Sequence, residues 1–128
     1  MATELKTILV VDDAALVRLY YRSILEKAGY RVDEALNGLE ALERLATQPA
    51  DLLIVDVNMP QMDGFTFLRT LRRQSPPSGG IPALVTSTEA QQQDFAAART
   101  AGANHYLVKP VDEKALLEHV ALLTGRKP

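Results

Sequence analysis

The chain has 128 residues, 47% of them hydrophobic, with 16 acidic residues against 14 Lys and Arg and no cysteine. That length suits one domain with one core, and the apolar fraction excludes global disorder. The formal charge of −2 supplies no sequence-wide basic field for nucleic acid or anionic lipid; without cysteine there is neither a disulfide framework nor thiolate chemistry.

Residues 1–7 contain Glu4 and Lys6 and lack the apolar stretch of a signal peptide. No apolar run approaches the roughly 20 residues that span a bilayer. A cytoplasmic protein without membrane insertion is therefore expected. "KTILVVD" (6–12) is a continuous aliphatic run, the mark of a strand covered on both faces. In "AALVRLYYRSILEKAG" (14–29), Leu16, Val17, Leu19, Tyr20, Ile24 and Leu25 recur at helical spacing, and Gly29 stops the helix. Of the adjacent Tyr20 and Tyr21, one is expected in the core and the other at its rim. "YRVDEA" (30–35) alternates like a short strand, Asn37-Gly38 reads as a turn, and "LEALERLAT" (39–47) as a short amphipathic helix. "DLLIVD" (51–56) is a second fully apolar strand that ends on a lone acid, Asp56, and a Pro- and Gly-marked loop runs on to Gly64.

"FTFLRTLRRQ" (65–74) is helical, with a basic outer face at Arg69, Arg72 and Arg73 that suits solvent better than nucleic acid. "SPPSGG" (75–80) is a loop too short to link domains. "PALVTS" (82–87) is a fourth strand, "EAQQQDFAAARTAG" (89–102) a helix closed by Gly102, and "NHYLVK" (104–109) a fifth strand. "DEKALLEHVALL" (112–123) is a last helix with Asp112 as its N-cap. His105 and His119 stand apart in sequence and are expected to have surface roles. Five strands alternating with five helical segments describe a parallel sheet with helices on both faces. Eight such units would be needed for a barrel, so the expectation is an open α/β sheet, one domain over residues 1–128. Ligands of such sheets bind beyond the carboxyl ends of the strands.

Those ends carry chemistry. The first has Asp12-Asp13, the third Asp56, the fourth Thr86-Ser87-Thr88 and the fifth Lys109-Pro110; the second ends blandly at Glu34-Ala35. If these ends are neighbours, they share three carboxylates, a hydroxyl and one ammonium. Three carboxylates in one place are costly to ionise together, and a hard divalent cation removes the conflict. Oxygen ligands with no His or Cys beside them favour Mg²⁺ over zinc. Lys109 supplies a point charge for phosphoryl oxygens, Ser87 a neutral donor, and Asp56 a nucleophile toward phosphorus. Each residue also has an ordinary alternative: Asp12, Asp13 and Ser87 as helix caps, Asp56 as a turn residue, Lys109 as a solvated loop lysine.

"ILVVDDAALVR", "LLIVDVNMPQMDG", "IPALVTSTEA" and "GANHYLVKP" together resemble the receiver domains of two-component response regulators, most of all the stand-alone CheY-like type. The resemblance covers nearly the whole chain. It implies a flavodoxin-like (βα)5 fold; the strand order 2-1-3-4-5 is that of CheY itself and is carried over with the resemblance. It implies that Asp56 is a phosphoacceptor served by a histidine kinase or phosphotransfer protein. Asp13 and Asp56 would bind Mg²⁺, with Asp12 acting through water and the Asn58 backbone carbonyl completing the set. Ser87 and Tyr106 would be the switch pair, Lys109 the phosphate-binding lysine before a cis proline, and Asn58 and Glu89 the residues that tune hydrolysis. Output would pass to a separate protein through the face of the fourth helix, fifth strand and fifth helix, since no output domain or direct nucleic-acid role is expected.

The sequence departs from the family at Thr88, where a small residue is usual, and at Gln91, Gln92 and Gln93, which replace a more basic helix start. Thr86, Ser87 and Thr88 leave the register of the switch hydroxyl ambiguous; the distance from Ile81-Pro82 selects Ser87. Two other functions compete. An aspartate-nucleophile phosphatase wants a general acid two residues after the nucleophile, where this chain has Asn58. A nucleotide or flavin module wants a glycine-rich first turn, where this chain has Asp12-Asp13-Ala14-Ala15.

Overall fold

Fully apolar strands need cover on both faces, and the molecule supplies it. A computed structural model describes residues 5–125; residues 1–4 and 126–128, the ends of the expected domain, lie outside the described residues. The elements run β1 (Thr7–Val11), α1 (Ala15–Lys27), β2 (Arg31–Ala35), α2 (Gly38–Thr47), β3 (Leu52–Asp56), α3 (Gly64–Arg72), β4 (Ala83–Ser87), α4 (Gln92–Ala101), β5 (His105–Val108) and α5 (Glu113–Thr124). All pairings are parallel, in the order β2-β1-β3-β4-β5, the order the resemblance implies.

Successive side chains on a strand point to opposite faces, and two apolar layers result. Leu9, Val11, Leu53, Val55, Ala83 and Val85 pack under α2, α3 and α4, against residues such as Leu45, Phe67, Leu71 and Ala101. Ile8, Val10, Leu52, Ile54 and Leu84 pack under α1 and α5, against Tyr21, Leu25, Leu116 and Val120. The same alternation, carried to the strand tips, places Asp12, Asp56, Thr86 and Lys109 on the α1/α5 side. It places Ser87 and Tyr106 on the α4 side.

Several local expectations are corrected. Gly38 is the first residue of α2, not half of a free turn, and Asn37 caps that helix through the Glu40 amide. Helix α4 starts only at Gln92, because Gln91 and Asp94 form a reciprocal capping box there. The loop at 75–80 contains a single 3-10 turn, Ser78–Gly80. On α1 the buried residues are Tyr21, Ile24 and Leu25, whereas Leu16 and Leu19 are 80% and 59% exposed. Tyr20 is exposed at the rim and donates to the Val111 carbonyl, as the core-and-rim reading of the two tyrosines requires.

Arg72 is not part of a solvated basic face. Its guanidinium donates to the carbonyls of Gly79, Ile81 and Gly102 and to the Asn104 side chain, at 2.6–3.2 Å. One planar fork thereby ties α3 to the chain entering β4 and to the end of α4. Gly102 makes this approach feasible: its φ is +109°, and a Cβ there would lie 2.7 Å from Arg72 Cγ. Arg72→Met keeps the stem but orphans the carbonyls, and is expected to cost roughly 2–4 kcal/mol in urea denaturation. Arg72→Lys should recover only part of this; full recovery by Lys would show that charge alone, and not the fork, does the tying.

Candidate functional site

Each tip residue of the site is fixed by its backbone before its side chain is considered. Asp12 follows β1 and stays in the ladder through its amide to the Ala35 carbonyl. Its own carbonyl accepts from Arg18 Nη1 at 2.7 Å. Arg18 and Arg22 also hold Glu34, both at 2.7 Å, so the end of β2 is a clasp and not bland. Burial works against the Glu34 carboxylate, but the hydrogen bonds from Arg22 and Arg18 prevail and lower its pKa. Asp56 is the last residue of β3, in register with Thr86. The Lys109 amide donates to the Ser87 carbonyl at 2.7 Å, and the Lys109-Pro110 bond is cis, as the resemblance implies.

The loop after Asp56 doubles back at once. Gly64 donates to the Val57 carbonyl, and Met62 to that of Pro60 around Gln61, whose φ of +70° is left-handed. A side chain at Gly64 would collide with the Asp56 carbonyl. That glycine therefore lets the loop lie against the strand end while the Asp56 carboxyl remains at the surface of the pocket.

The side chains converge. Lys109 Nζ lies 2.9 Å from Asp12 Oδ2 and 3.0 Å from Asp56 Oδ1. Carboxylate oxygens of Asp12, Asp13 and Asp56 all come within 4.8 Å of one another. Asp12 and Asp56 are buried, and Asp13 is exposed and opens the group to solvent. Asp12 is no helix cap: α1 is capped by Ala14 without a side-chain bond, although Asp12 Oδ1 accepts from the Ala14 amide. Neither is Ser87, since the N-cap of α4 is Gln91. Lys109, far from being a solvated loop residue, is the ammonium between two acids.

Burial pushes the Asp56 carboxyl above its ordinary pKa; the Lys109 hydrogen bond opposes this, and Asp12 and Asp13 add to it. For Lys109, burial disfavours the ammonium, but the hydrogen bonds to Asp12 and Asp56 outweigh it and raise its pKa. Three carboxylates against one ammonium leave a formal −2. An all-oxygen set with that excess fits a hard divalent cation.

The remaining expected residues surround this core. The Ser87 hydroxyl is buried and accepts from the Glu89 amide at 3.1 Å. Tyr106 donates to the Glu89 carbonyl at 2.9 Å and packs edge-on against Phe95 at 4.7 Å. Asn58, Thr88 and Glu89 are exposed at the rim. His105 and His119 lie outside the site, yet the fold brings their rings to 4.8 Å. Sequence reasoning missed Arg18, whose signal was a basic residue one turn into a helix that follows an acidic strand tip. It also missed Tyr21, a phenol buried beneath the pocket whose pKa burial pushes up to about 12.

Comparison with known proteins bears on this geometry. The family model of the response regulator receiver domain matches residues 8–121. The Escherichia coli sensor protein EvgS is 38% identical over 117 residues, which cover 91% of this chain and 10% of EvgS. The Vibrio cholerae CAI-1 autoinducer sensor kinase/phosphatase CqsS is 34% identical over 91% of this chain and 17% of its own length. Among solved structures, Vibrio cholerae chemotaxis protein CheY4 superposes with a TM-score of 0.88 at 34% identity, covering 94% of this chain and 99% of that one. The chain thus spans a small part of the sensor proteins and nearly all of the chemotaxis protein.

The electrostatics yield a stability test. The Asp56 pKa is raised in the folded state, so between its ordinary and its raised value the folded chain holds a proton that the unfolded chain has lost. Stability therefore falls as pH rises from the ordinary carboxylate pKa through the raised one. In chelator, Asp56→Asn should melt about 2–5 °C above wild type at neutral pH, the response to roughly 1 kcal/mol in a domain of this size. The gap should close as pH falls below the carboxylate range; a gap that does not change with pH contradicts the crowding of acids at this site.

Proposed function

The chain belongs to the response regulator receiver domain family, and on that premise we propose that it is a phosphoryl-accepting switch of two-component signalling. The observation that carries the reading is the buried Asp56, mounted on a strand end between the Lys109 ammonium and two further acids. The donor is a phosphohistidine of a histidine kinase or phosphotransfer protein. An Asp56 oxygen attacks phosphorus, the P–N bond breaks, and the electron pair leaves with the imidazole. Mg²⁺ would be held by Asp13 and Asp56, with Asp12 acting through water and the Asn58 carbonyl completing the protein ligands. When bound it neutralises charge developing on the phosphoryl oxygens.

Lys109 is already charged and half-buried at the acceptor, so it can turn from the carboxylates to phosphoryl oxygens with little reorganisation. Ser87 reaches the phosphoryl group from the α4 side of the sheet. Hydrogen bonds to charged groups contribute roughly 1.5–3 kcal/mol each, and inverting a 1:99 equilibrium takes about 5.5 kcal/mol. Two such bonds, from Ser87 and Lys109, approach that figure. The responding element is cheap to move, because α4 fully buries only Ala98 and Ala101. Tyr106 links the two through its hydroxyl on the carbonyl of Glu89, the residue whose amide Ser87 holds. The partner protein would read the α4-β5-α5 face. Asn58 and Glu89, exposed at the pocket rim, would set how readily water reaches the phosphoryl group.

The phosphatase alternative lacks a proton donor at Asn58, so turnover of the chain's own acyl phosphate is the only hydrolysis this reading includes. The kinship with both sensor-kinase receivers and a chemotaxis protein is compatible with a phosphorelay or a chemotaxis-type role. Incubation with a small acyl phosphate and Mg²⁺ should add one base-labile phosphoryl group by intact mass, and none to Asp56→Asn. Ser87→Ala should take up the group but lose the phosphate-dependent shift of Tyr106 resonances. Phosphorylation of Asp56→Asn would displace Asp56 as acceptor, and a wild-type Tyr106 response in Ser87→Ala would move the coupling away from Ser87.

A further inference from the structure

Thr86 precedes Ser87 on β4 and lies in register with Asp56. It is wholly buried, and its Oγ1 is the one buried side-chain polar atom among the described residues without a hydrogen-bond partner. Strand alternation turns it to the α1/α5 side, the side of Asp56 and Lys109. Neighbouring strands stand about 4.8 Å apart, so the Thr86 hydroxyl and the Asp56 carboxyl are lateral neighbours. The Tyr21 phenol lies near Thr86, Lys109 and both buried acids; burial raises its pKa and the Thr86 hydroxyl lowers it. Yet the two oxygens do not meet hydrogen-bond geometry, and Thr86 Oγ1 has no other partner.

A buried hydroxyl without a partner is a net cost to folding. Valine has nearly the same shape and would fill the space without that cost. The hydroxyl therefore needs an acceptor in another state of the site. In the structure, Asp56 Oδ1 is ion-paired with Lys109 Nζ at 3.0 Å. Once Asp56 carries a phosphoryl group and Lys109 turns to its oxygens, a step that rests on the function proposed above, the acyl oxygen left on Asp56 loses its donor. We propose that the Thr86 hydroxyl then donates to that acyl oxygen and speeds loss of the phosphoryl group. Ser87 does not fill the role, because its side chain is on the α4 side and its Oγ accepts from the Glu89 amide.

In the step itself, water attacks phosphorus and the bond between phosphorus and the Asp56 oxygen breaks. The electron pair returns to Asp56 as carboxylate, and both water protons remain on the released phosphate. Negative charge grows on the carboxyl group as the bond breaks, so a donor already aimed at it is worth more in the transition state than in the acyl phosphate. Thr86 keeps its proton throughout.

The test compares wild type, Thr86→Val and Thr86→Ser, each phosphorylated with a small acyl phosphate, with uptake and decay followed by intact mass. Decay is read both with Mg²⁺ and after addition of chelator. In Thr86→Val, decay should slow by about fivefold to tenfold, in the range of a single neutral donor, and by more than uptake does. Thr86→Ser should restore the wild-type rate. The melting temperature of Thr86→Val should equal or exceed that of wild type, since the orphan hydroxyl is gone. Unchanged decay overturns the proposal, and so does slowing of uptake and decay together with a lower melting temperature, which marks a packing defect. If wild type itself takes up no phosphoryl group, the switch reading fails first and this inference with it.

Discussion

The ammonium of Lys109, between the carboxylates of Asp12 and Asp56, joins the tips of β1, β3 and β5, of which only β1 and β3 are paired in the sheet. Two buried acids so close would drive one of them to protonate or the strand ends to separate. One half-buried cation holds them together but does not complete the charge balance. The remaining negative charge makes the pocket receptive to a divalent cation. The Asp56 pKa is raised by burial first, and the charges of Asp12 and Asp13 add to it. Stability and function thus pull against each other at one point, as at many sites where charge is concentrated for chemistry.

The rest of the fold keeps this point rigid. Fully buried β3 carries Asp56 between β1 and β4, so its carboxylate cannot drift relative to Asp12. The clasp of Arg18 and Arg22 on Glu34 fixes the β1–α1 corner, and the Arg72 fork fixes the opposite corner of the sheet. Helix α4, tied at its end by the Arg72 bonds to Gly102, is otherwise held by small side chains and by the Phe95–Tyr106 contact. Strand alternation assigns the acids and Lys109 to one side and Ser87 and Tyr106 to the other. A group attached to Asp56 at the very edge of the sheet is accessible from both.

How much of this was legible in the sequence follows from what each signal measures. Apolar runs that end on charged residues mark buried parallel strands and their functional tips, so Asp12, Asp56 and Lys109 stood out. Strand order did not, because periodicity says nothing of crossovers and the order came with the family resemblance. On α1 two apolar stripes compete, and spacing alone cannot say that Tyr21 faces the sheet while Leu16 and Leu19 face solvent. Arg72 looked like its neighbours Arg69 and Arg73, because its acceptors are backbone carbonyls supplied by remote loops. His105 and His119 looked isolated because only packing of α5 on β5 joins them. Thr86 was one of three successive hydroxyls, and its lack of a partner is a property of the packed core alone.

The central claim is that Asp12, Asp13, Asp56 and Lys109 form one site that binds a divalent cation and a phosphoryl group together. Titration with beryllofluoride, a phosphoryl mimic, in the presence and absence of Mg²⁺ tests it most directly, with occupancy read by fluorine NMR. The account requires a one-to-one complex that forms only with Mg²⁺, disperses in chelator, and is lost in Asp56→Asn and Lys109→Ala. A complex indifferent to Mg²⁺, or one that survives loss of Asp56, would contradict it.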